Sequence, residues 1–100
     1  MRNIFVITVT YTKPLEEVEK YLEDHREFLA NGYKKGFLLL SGAQVPRVGG
    51  IIIGRFWSKE EAEAFIHKDP FFVAKVAEYN ITEFVASKYA AEIGEMLCKD

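Results

Sequence analysis

The order in which strand and helix patterns follow one another is the feature that most constrains the fold of this chain. Six segments carry such patterns, and in chain order they are a strand at 3–12, a helix at 14–33, strands at 37–40 and 51–57, a helix from Ser58 and a strand at 80–88. Loops and turns separate the six segments, and a loop is expected over residues 43–50. A chain with this order has only a few ways to bury its apolar faces.

The order β-α-β-β-α-β predicts an α+β fold of the ferredoxin-like type, a sandwich in which two helices cover a four-stranded antiparallel sheet. One hundred residues predict a single domain that spans 1–100. After the last strand, an extra C-terminal helix is expected from its apolar spacing, which is carried by Ala90, Ile93, Met96 and Leu97.

The strands at 37–40 and 51–57 are apolar on both faces, whereas two helices can cover only one face of the sheet. We therefore predict a homodimer in which the sheets of two copies pack face to face, with assembly beyond a dimer left open. The alternative is a monomer in which the terminal segment 88–100 folds back over the open face.

Composition excludes several classes of partner. The net charge of −2 and the pI near 5.7 give no basis for binding nucleic acid or an anionic membrane. The longest apolar runs, such as Phe37–Leu40, are too short to span a bilayer. A single cysteine, Cys98, rules out an intrachain disulfide, and the N-terminus reads as a strand without the features of a signal peptide. These features predict a cytoplasmic protein.

A carboxylate is placed at a helix end by the sequence Asp69-Pro70. The helix that begins at the capping box Ser58-Lys59-Glu60-Glu61 must end at Asp69, because Pro70 disfavours helical geometry in the residue before it. Asp69 has two readings: an N-cap for a short helix over 70–77, or a functional carboxylate that faces the core. Taken alone, the pattern favours the cap.

His25 interrupts the apolar stripe of the first helix. The stripe consists of Leu15, Val18, Leu22, Leu29 and Tyr33, and His25 fills its gap of seven residues. A buried histidine of this kind is usually satisfied by a backbone carbonyl or by water. Paired with a carboxylate, however, an imidazole has a fixed tautomer and a stabilised protonated form, so it can act as a general acid or base. We hypothesise that His25 and Asp69 converge near the end of the second strand, beside Ser41 and Gly42.

Other chemistries have weak support. Glycine-rich phosphate loops and the common zinc motifs are absent, so no cofactor and no metal are expected. Ser41, His25 and Asp69 could form a triad on paper, but Leu40-Ser41-Gly42-Ala43 is not a nucleophile elbow. A metal site formed by His25, Asp69 and His67 is disfavoured because His67 lies among charged residues.

The chain resembles the YCII-related (YciI-like) family over nearly its whole length. The matching motifs are listed in chain order: Ile4-Phe5-Val6-Ile7, His25-Arg26-Glu27-Phe28-Leu29, Gly36-Phe37-Leu38-Leu39-Leu40-Ser41-Gly42, Gly49-Gly50-Ile51-Ile52-Ile53, Glu60-Glu61-Ala62, Asp69-Pro70-Phe71 and Ile81-Thr82-Glu83-Phe84. The resemblance implies a ferredoxin-like dimer of the dimeric α/β-barrel superfamily, with an active-site histidine and aspartate that match His25 and Asp69. The tail beyond Lys88 and the Gly42-Ala43 step, where the family commonly has Gly-Pro, depart from the pattern.

These observations lead to a function hypothesis. We expect a small cofactor-independent enzyme in which His25 shuttles a proton and Asp69 orients it, in an isomerisation, elimination or proton transfer on a small anionic organic metabolite. Candidate substrate-binding residues are Ser41, Gly42, Arg26 and Phe71, and the spacing does not select among Arg26, Arg47 and Arg55 as the group that holds the anion. A non-catalytic small-molecule-binding or interaction module is the alternative, and a cofactor-free oxygenase is a third reading.

Overall fold

A computed structural model describes residues 1–99 of the chain. It contains four strands and five helices within that range, in the order β1 (Asn3–Tyr11), α1 (Leu15–Glu19), α2 (Leu22–Lys34), β2 (Leu38–Ala43), β3 (Gly49–Phe56), α3 (Lys59–Ile66), α4 (Pro70–Val73), β4 (Ala77–Phe84) and α5 (Ala91–Leu97). The strands form one antiparallel sheet with the order β2-β3-β1-β4. This arrangement confirms the predicted ferredoxin-like α+β fold.

The helices α1 to α4 pack on one face of the sheet, which we call the helix face. On β1 this face carries Phe5, Ile7 and Val9, each at most 2% exposed. Ile7 lies directly opposite Ile52 of β3 and Ile81 of β4, so the three strands present an unbroken apolar layer. Burying one such side chain stabilises the fold by about 1.5–3 kcal/mol relative to leaving it exposed.

The prediction of one continuous helix over residues 14–33 is wrong. The helix breaks at Lys20 and Tyr21, where the Tyr21 N–H bonds to the carbonyl of Val18, three residues back. This tighter turn separates α1 from α2. With the break in place, Val18 is fully buried, and Tyr21 and Leu22 both pack against the core.

Three further boundaries differ from the sequence expectation. The strand expected at 80–88 is β4, which begins at Ala77 because Ala77 pairs with Tyr11 at the far end of β1. The short helix expected over 70–77 ends at Val73, and Lys75 has a φ of 59°. The loop expected over 43–50 is shorter, since β2 reaches Ala43 and β3 begins at Gly49.

The opposite side of the sheet, which we call the open face, is partly covered by α5. Leu97 of this helix is 3% exposed, and Arg55 of β3 donates hydrogen bonds to the carbonyls of Met96 and Lys99. The terminal segment therefore covers one end of the open face, while Val6, Thr8 and Ile51 lie beyond it. The predicted dimer stays a prediction. Within residues 1–99, no helix has both the length and the apolar character needed to cross a bilayer.

Candidate active site

Asp69 is a fully buried carboxylate at the junction of α3 and α4. α3 ends at Ile66, and Pro70 occupies the first position of α4, so Asp69 is held in an extended conformation between them. Its Oδ1 accepts a hydrogen bond from the N–H of Phe71 at 3.0 Å, which is the geometry of an N-cap. The residue is 0% exposed, so its charge must be compensated inside the protein.

Two further donors supply that compensation. Nδ1 of His25 lies 2.7 Å from Oδ1 of Asp69, and the hydroxyl of Tyr79 donates to Oδ2 at 2.7 Å. The carboxylate thus faces donors from α2, from α4 and from β4, and hydrogen bonds to an ionised group are the stronger kind. The two readings of Asp69 from the sequence are therefore not exclusive: the same side chain caps α4 and contacts His25.

His25 is held in position from two sides. Its ring stacks on Phe71, with the ring centroids 3.9 Å apart and the planes inclined by 6°. Its side chain is 12% exposed, and within residues 1–99 its Nε2 makes no hydrogen bond and is not sealed from solvent. Because Nδ1 donates to Asp69 when the ring is neutral, Nε2 carries the free lone pair and can accept a proton.

Sequence reasoning missed Tyr79. It lies on the helix face directly opposite Val9, and this orientation brings its hydroxyl to Asp69. Burial raises the pKa of Tyr79 far above its ordinary value, and the negative charge of Asp69 and the hydrogen bond to it raise the pKa further. The phenol therefore stays protonated and acts as a permanent donor to the carboxylate.

A cavity of about 320 Å³ opens beside His25 on the helix face, at the β2 end of the sheet. Its lining residues are Tyr11, Leu22, His25, Arg26, Leu29, Ser41, Gly42, Ala43, Arg47, Ile51 and Ile52. Four residues expected in the site, His25, Arg26, Ser41 and Gly42, line this cavity together. Asp69 and Phe71 do not line it: they are buried behind His25, where Phe71 supports the ring rather than facing a ligand.

The hydroxyl of Ser41 is paired with a second hydroxyl. Its Oγ lies 2.7 Å from the phenolic oxygen of Tyr33, and neither His25 nor Asp69 bonds to it in residues 1–99. This differs from the triad considered above, because the serine has no base beside it. Ser41 instead presents an oriented hydroxyl at the cavity wall, and its register opposite Ile52 places it on the helix face.

Two arginines supply positive charge to the cavity. Arg47 reaches Glu19 at 3.5 Å and lies over the ring of Tyr11, with 5.9 Å to the centroid. Arg26 forms no ion pair or hydrogen bond with residues 1–99, so its guanidinium is available to a ligand. Arg55 is elsewhere, because its register opposite Ile4 places it on the open face.

A larger groove of about 650 Å³ runs between α3 and β4, but it does not contain His25. It holds His67, whose ring stacks on Phe72 at 4.5 Å. Among the described residues, no three His, Cys, Asp or Glu side chains cluster as metal ligands. We assign the candidate site to the smaller cavity, because the accessible nitrogen of the buried His25–Asp69 pair and the free cation of Arg26 meet there.

Comparison with known proteins places the chain in a family. The model of the YCII-related domain matches residues 4–85. The chain belongs to the YCII-related family. No curated protein matches this YCII-related chain in sequence.

A solved structure with the same fold is 5-chloro-2-hydroxyhydroquinone dehydrochlorinase from Burkholderia phenoliruptrix AC1100, in complex with 2,5-dihydroxybenzoquinone. The two chains are 17% identical, the TM-score is 0.71, and the match covers 89% of this YCII-related chain and 97% of the other. At this identity, the likeness extends to the fold alone.

Proposed function

We propose that this protein is a cofactor-independent acid–base enzyme that acts on a small anionic organic molecule, with His25 as the proton-transfer group. The observation that carries the proposal is the contact of 2.7 Å between His25 Nδ1 and Asp69 Oδ1, which leaves Nε2 accessible in a cavity that also holds Arg26. A base with one fixed tautomer, a buried counter-charge and an adjacent cation is what proton abstraction from an anion requires.

The reaction begins with the neutral His25 ring. Nε2 removes a proton from a C–H or O–H group of the substrate, and Asp69 stabilises the imidazolium that forms. The electron pair released on the substrate then either forms a double bond as a leaving group departs, or is reprotonated by the same imidazolium at another atom. The first course is an elimination, in which the imidazolium gives its proton to the leaving group or to water, and the second is an isomerisation, in which the proton returns to the substrate. Both courses therefore end with His25 in its neutral form.

Binding and orientation come from the cavity walls. Arg26, with Arg47 beside it, pairs with the anionic group, while the Ser41 hydroxyl, held by Tyr33, is placed to bond to a polar atom of the substrate. Leu22, Leu29 and Ile52 supply apolar surface on which a flat or short-chain molecule can lie. The related fold of a dehydrochlorinase supports elimination as the first reaction class to examine.

The experiment is a screen for proton exchange in D₂O. Small carboxylates and hydroxyquinones, 2,5-dihydroxybenzoquinone among them, are incubated with the protein, and loss of C–H signals is followed by ¹H NMR. Exchange or turnover should occur with the native protein and disappear in His25→Asn. Compounds that raise the melting temperature yet show neither exchange nor turnover, with binding unaffected by His25→Asn, would favour the alternative of a non-catalytic binding module.

A further inference from the structure

Arg47, one of the two arginines that line the cavity beside His25, is held by an acidic side chain of α1. Its Nη1 lies 3.5 Å from Oε1 of Glu19, the last residue of that helix. The Arg47 side chain is 36% exposed and that of Glu19 is 53% exposed. An exposed ion pair contributes only about 0–1 kcal/mol, and this one is longer than the roughly 2.7–2.9 Å of a well-formed charged hydrogen bond. An anion that approaches Arg47 more closely can therefore displace Glu19.

The backbone that carries Arg47 is fixed more firmly than its side chain. The side-chain amide of Gln44 donates to carbonyls of β1 and β3 at 3.3 Å, and the N–H of Tyr11 donates to the carbonyl of Val48 at 2.9 Å. These bonds attach the loop between β2 and β3 to the sheet on both sides of Arg47. A change of partner therefore requires only a rotation of the Arg47 side chain, whose guanidinium already lies over the Tyr11 ring at the cavity wall.

The charges around the cavity allow it to hold two anionic groups. No acidic side chain lines the cavity among the described residues, and its two arginines come from different elements, Arg26 from α2 and Arg47 from the loop. Asp69 is buried behind His25, where three donors compensate its charge. Glu19 is thus the acid that a ligand replaces at Arg47, and because its side chain is largely exposed, its release into water costs little.

We propose that the cavity takes small molecules with two anionic groups, the first bound by Arg26 and the second by Arg47 in place of Glu19. This proposal rests on the proposed function, because it assigns both groups to the substrate on which His25 acts. The volume of about 320 Å³ suits a short-chain dianion. A molecule with one anionic group is held by Arg26 and leaves the Glu19–Arg47 ion pair intact. Glu19 is then a specificity-determining residue, because only a second anionic group gains from displacing it.

The test compares the binding of dicarboxylates and of their monomethyl esters by isothermal titration calorimetry. Succinate, glutarate and adipate differ in length, and each ester keeps nearly the size of its parent acid while losing one charge. Titrations are made above neutral pH, where every free carboxylate is ionised, at fixed salt and in a buffer without carboxylate or phosphate. At the best length, the native protein should bind the dicarboxylate more tightly than its ester, by up to about fivefold, the upper end for an exposed charge pair.

Three variants locate the source of this preference. Glu19→Gln removes the competing carboxylate and should tighten dicarboxylate binding by about two- to fivefold, whereas loss of a merely structural contact would weaken it. Glu16→Gln removes the same charge from an exposed position on α1 and should leave both affinities unchanged, since salt screens a charge without direct contact. Arg47→Gln should abolish the advantage of the dicarboxylate, and Glu19→Gln added to Arg47→Gln should have no further effect.

His25→Asn separates this proposal from the proposed function. It should stop proton exchange but leave both the preference for dicarboxylates and its increase in Glu19→Gln. A preference for dicarboxylates without proton exchange or turnover of any compound would support this proposal and contradict catalysis, whereas exchange confined to singly charged compounds would do the reverse.

Two results would overturn the proposal. The first is the absence of any advantage of dicarboxylate over ester in the native protein at all three lengths, including a failure of both to bind. The second is dicarboxylate binding that stays unchanged or weakens in Glu19→Gln, because Glu19 would then not compete for Arg47.

Discussion

Nδ1 of His25 and Oδ1 of Asp69 lie 2.7 Å apart, although 44 residues separate them in the chain. Folding brings α2 onto α4 and so places the imidazole against the carboxylate that caps α4. The contact has a direction, because Asp69 can only accept hydrogen bonds when ionised and His25 must donate from Nδ1. The free nitrogen of the ring is consequently Nε2.

Asp69→Asn should damage activity while leaving the fold intact. Asparagine caps a helix about as well as aspartate, and its oxygen in the Oδ1 position can still accept from the Phe71 N–H and from Nδ1 of His25, but a neutral amide cannot balance the charge of an imidazolium. We expect proton-transfer activity to fall by at least about 10²-fold, the lower end of what a positioned acid or base contributes. Long-range ¹⁵N NMR of the neutral His25 ring should show its proton still on Nδ1, so that the loss of activity traces to the missing charge.

The control for this variant is Asp24→Asn, on an exposed position next to His25 on α2. It changes the net charge by the same amount without touching the pair. Equal effects of the two substitutions on activity would leave Asp69 as a helix cap only.

Tyr79→Phe should destabilise the protein. The substitution keeps the ring but removes the O–H that donates to Oδ2 of Asp69, which leaves a buried carboxylate oxygen without its partner. The expected loss in the free energy of unfolding is about 1–3 kcal/mol. Urea denaturation provides the measurement, with the exposed Tyr89→Phe as the matched control, for which we expect a change within about 0.5 kcal/mol.

Tyr79 should also make the free energy of unfolding depend on pH in the alkaline range. The pKa of Tyr79 is raised in the folded protein, so the folded state holds this proton more tightly than the unfolded state does. The contribution of Tyr79 to stability is complete below the pKa of a tyrosine in the unfolded chain, about 10. It is lost progressively as the pH rises above that value. Urea midpoints measured at rising pH should fall above this point, and the fall should be shallower in Tyr79→Phe. Parallel curves for the two proteins would contradict the assignment.

Phe71→Leu tests whether this ring positions His25 or contacts the ligand. Since Phe71 stacks on His25 and does not line the cavity, its loss should let the imidazole tilt, lowering kcat more than it raises KM. Substitution of a buried phenylalanine by leucine should also cost about 1–2 kcal/mol of stability. A selective rise in KM with unchanged kcat would instead support the substrate-binding role expected from the sequence.

The predicted dimer is tested by sedimentation equilibrium at micromolar concentration. Two copies that pack by their open faces would double the mass of the 11.5 kDa chain. Val6→Glu places a charge on the part of the open face that α5 leaves free, so it should return the protein to a monomer. A native monomer would mean that α5 covers enough of this face to make a partner unnecessary.

The order of the elements and both residues of the His25–Asp69 contact could be predicted from the sequence. The patterns that indicate them, apolar periodicity and the effect of proline on its neighbour, each lie within one short segment. His25 stood out as a polar gap in an apolar stripe, and Asp69 as the residue that Pro70 forces out of the helix. The break between α1 and α2 was not predictable in the same way, since it follows from packing of Val18 and Tyr21 on the sheet.

The contact of Tyr79 with Asp69 and the selection of the arginine that lines the cavity both depend on pairing between strands that are distant in the chain. β4 begins at Ala77 because it pairs with the end of β1, and Ala77-Glu78 alone gives little strand signal. The same kind of register decides that Arg55 lies on the open face, while Arg47, in the loop between β2 and β3, lines the cavity. The spacing of residues within one segment does not show on which side of the sheet each residue lies, because this depends on how the segment pairs with other strands.

The three contacts of Asp69 also link the site to the cooperativity of unfolding. Donors from α2, α4 and β4 meet on one carboxylate, so none of these elements can open alone without leaving a buried charge short of a partner. The Phe71 amide is bonded directly to this carboxylate. Its hydrogen exchange should therefore occur only through global unfolding, at the slow rate of the central strand β1 rather than at the rate of a four-residue helix.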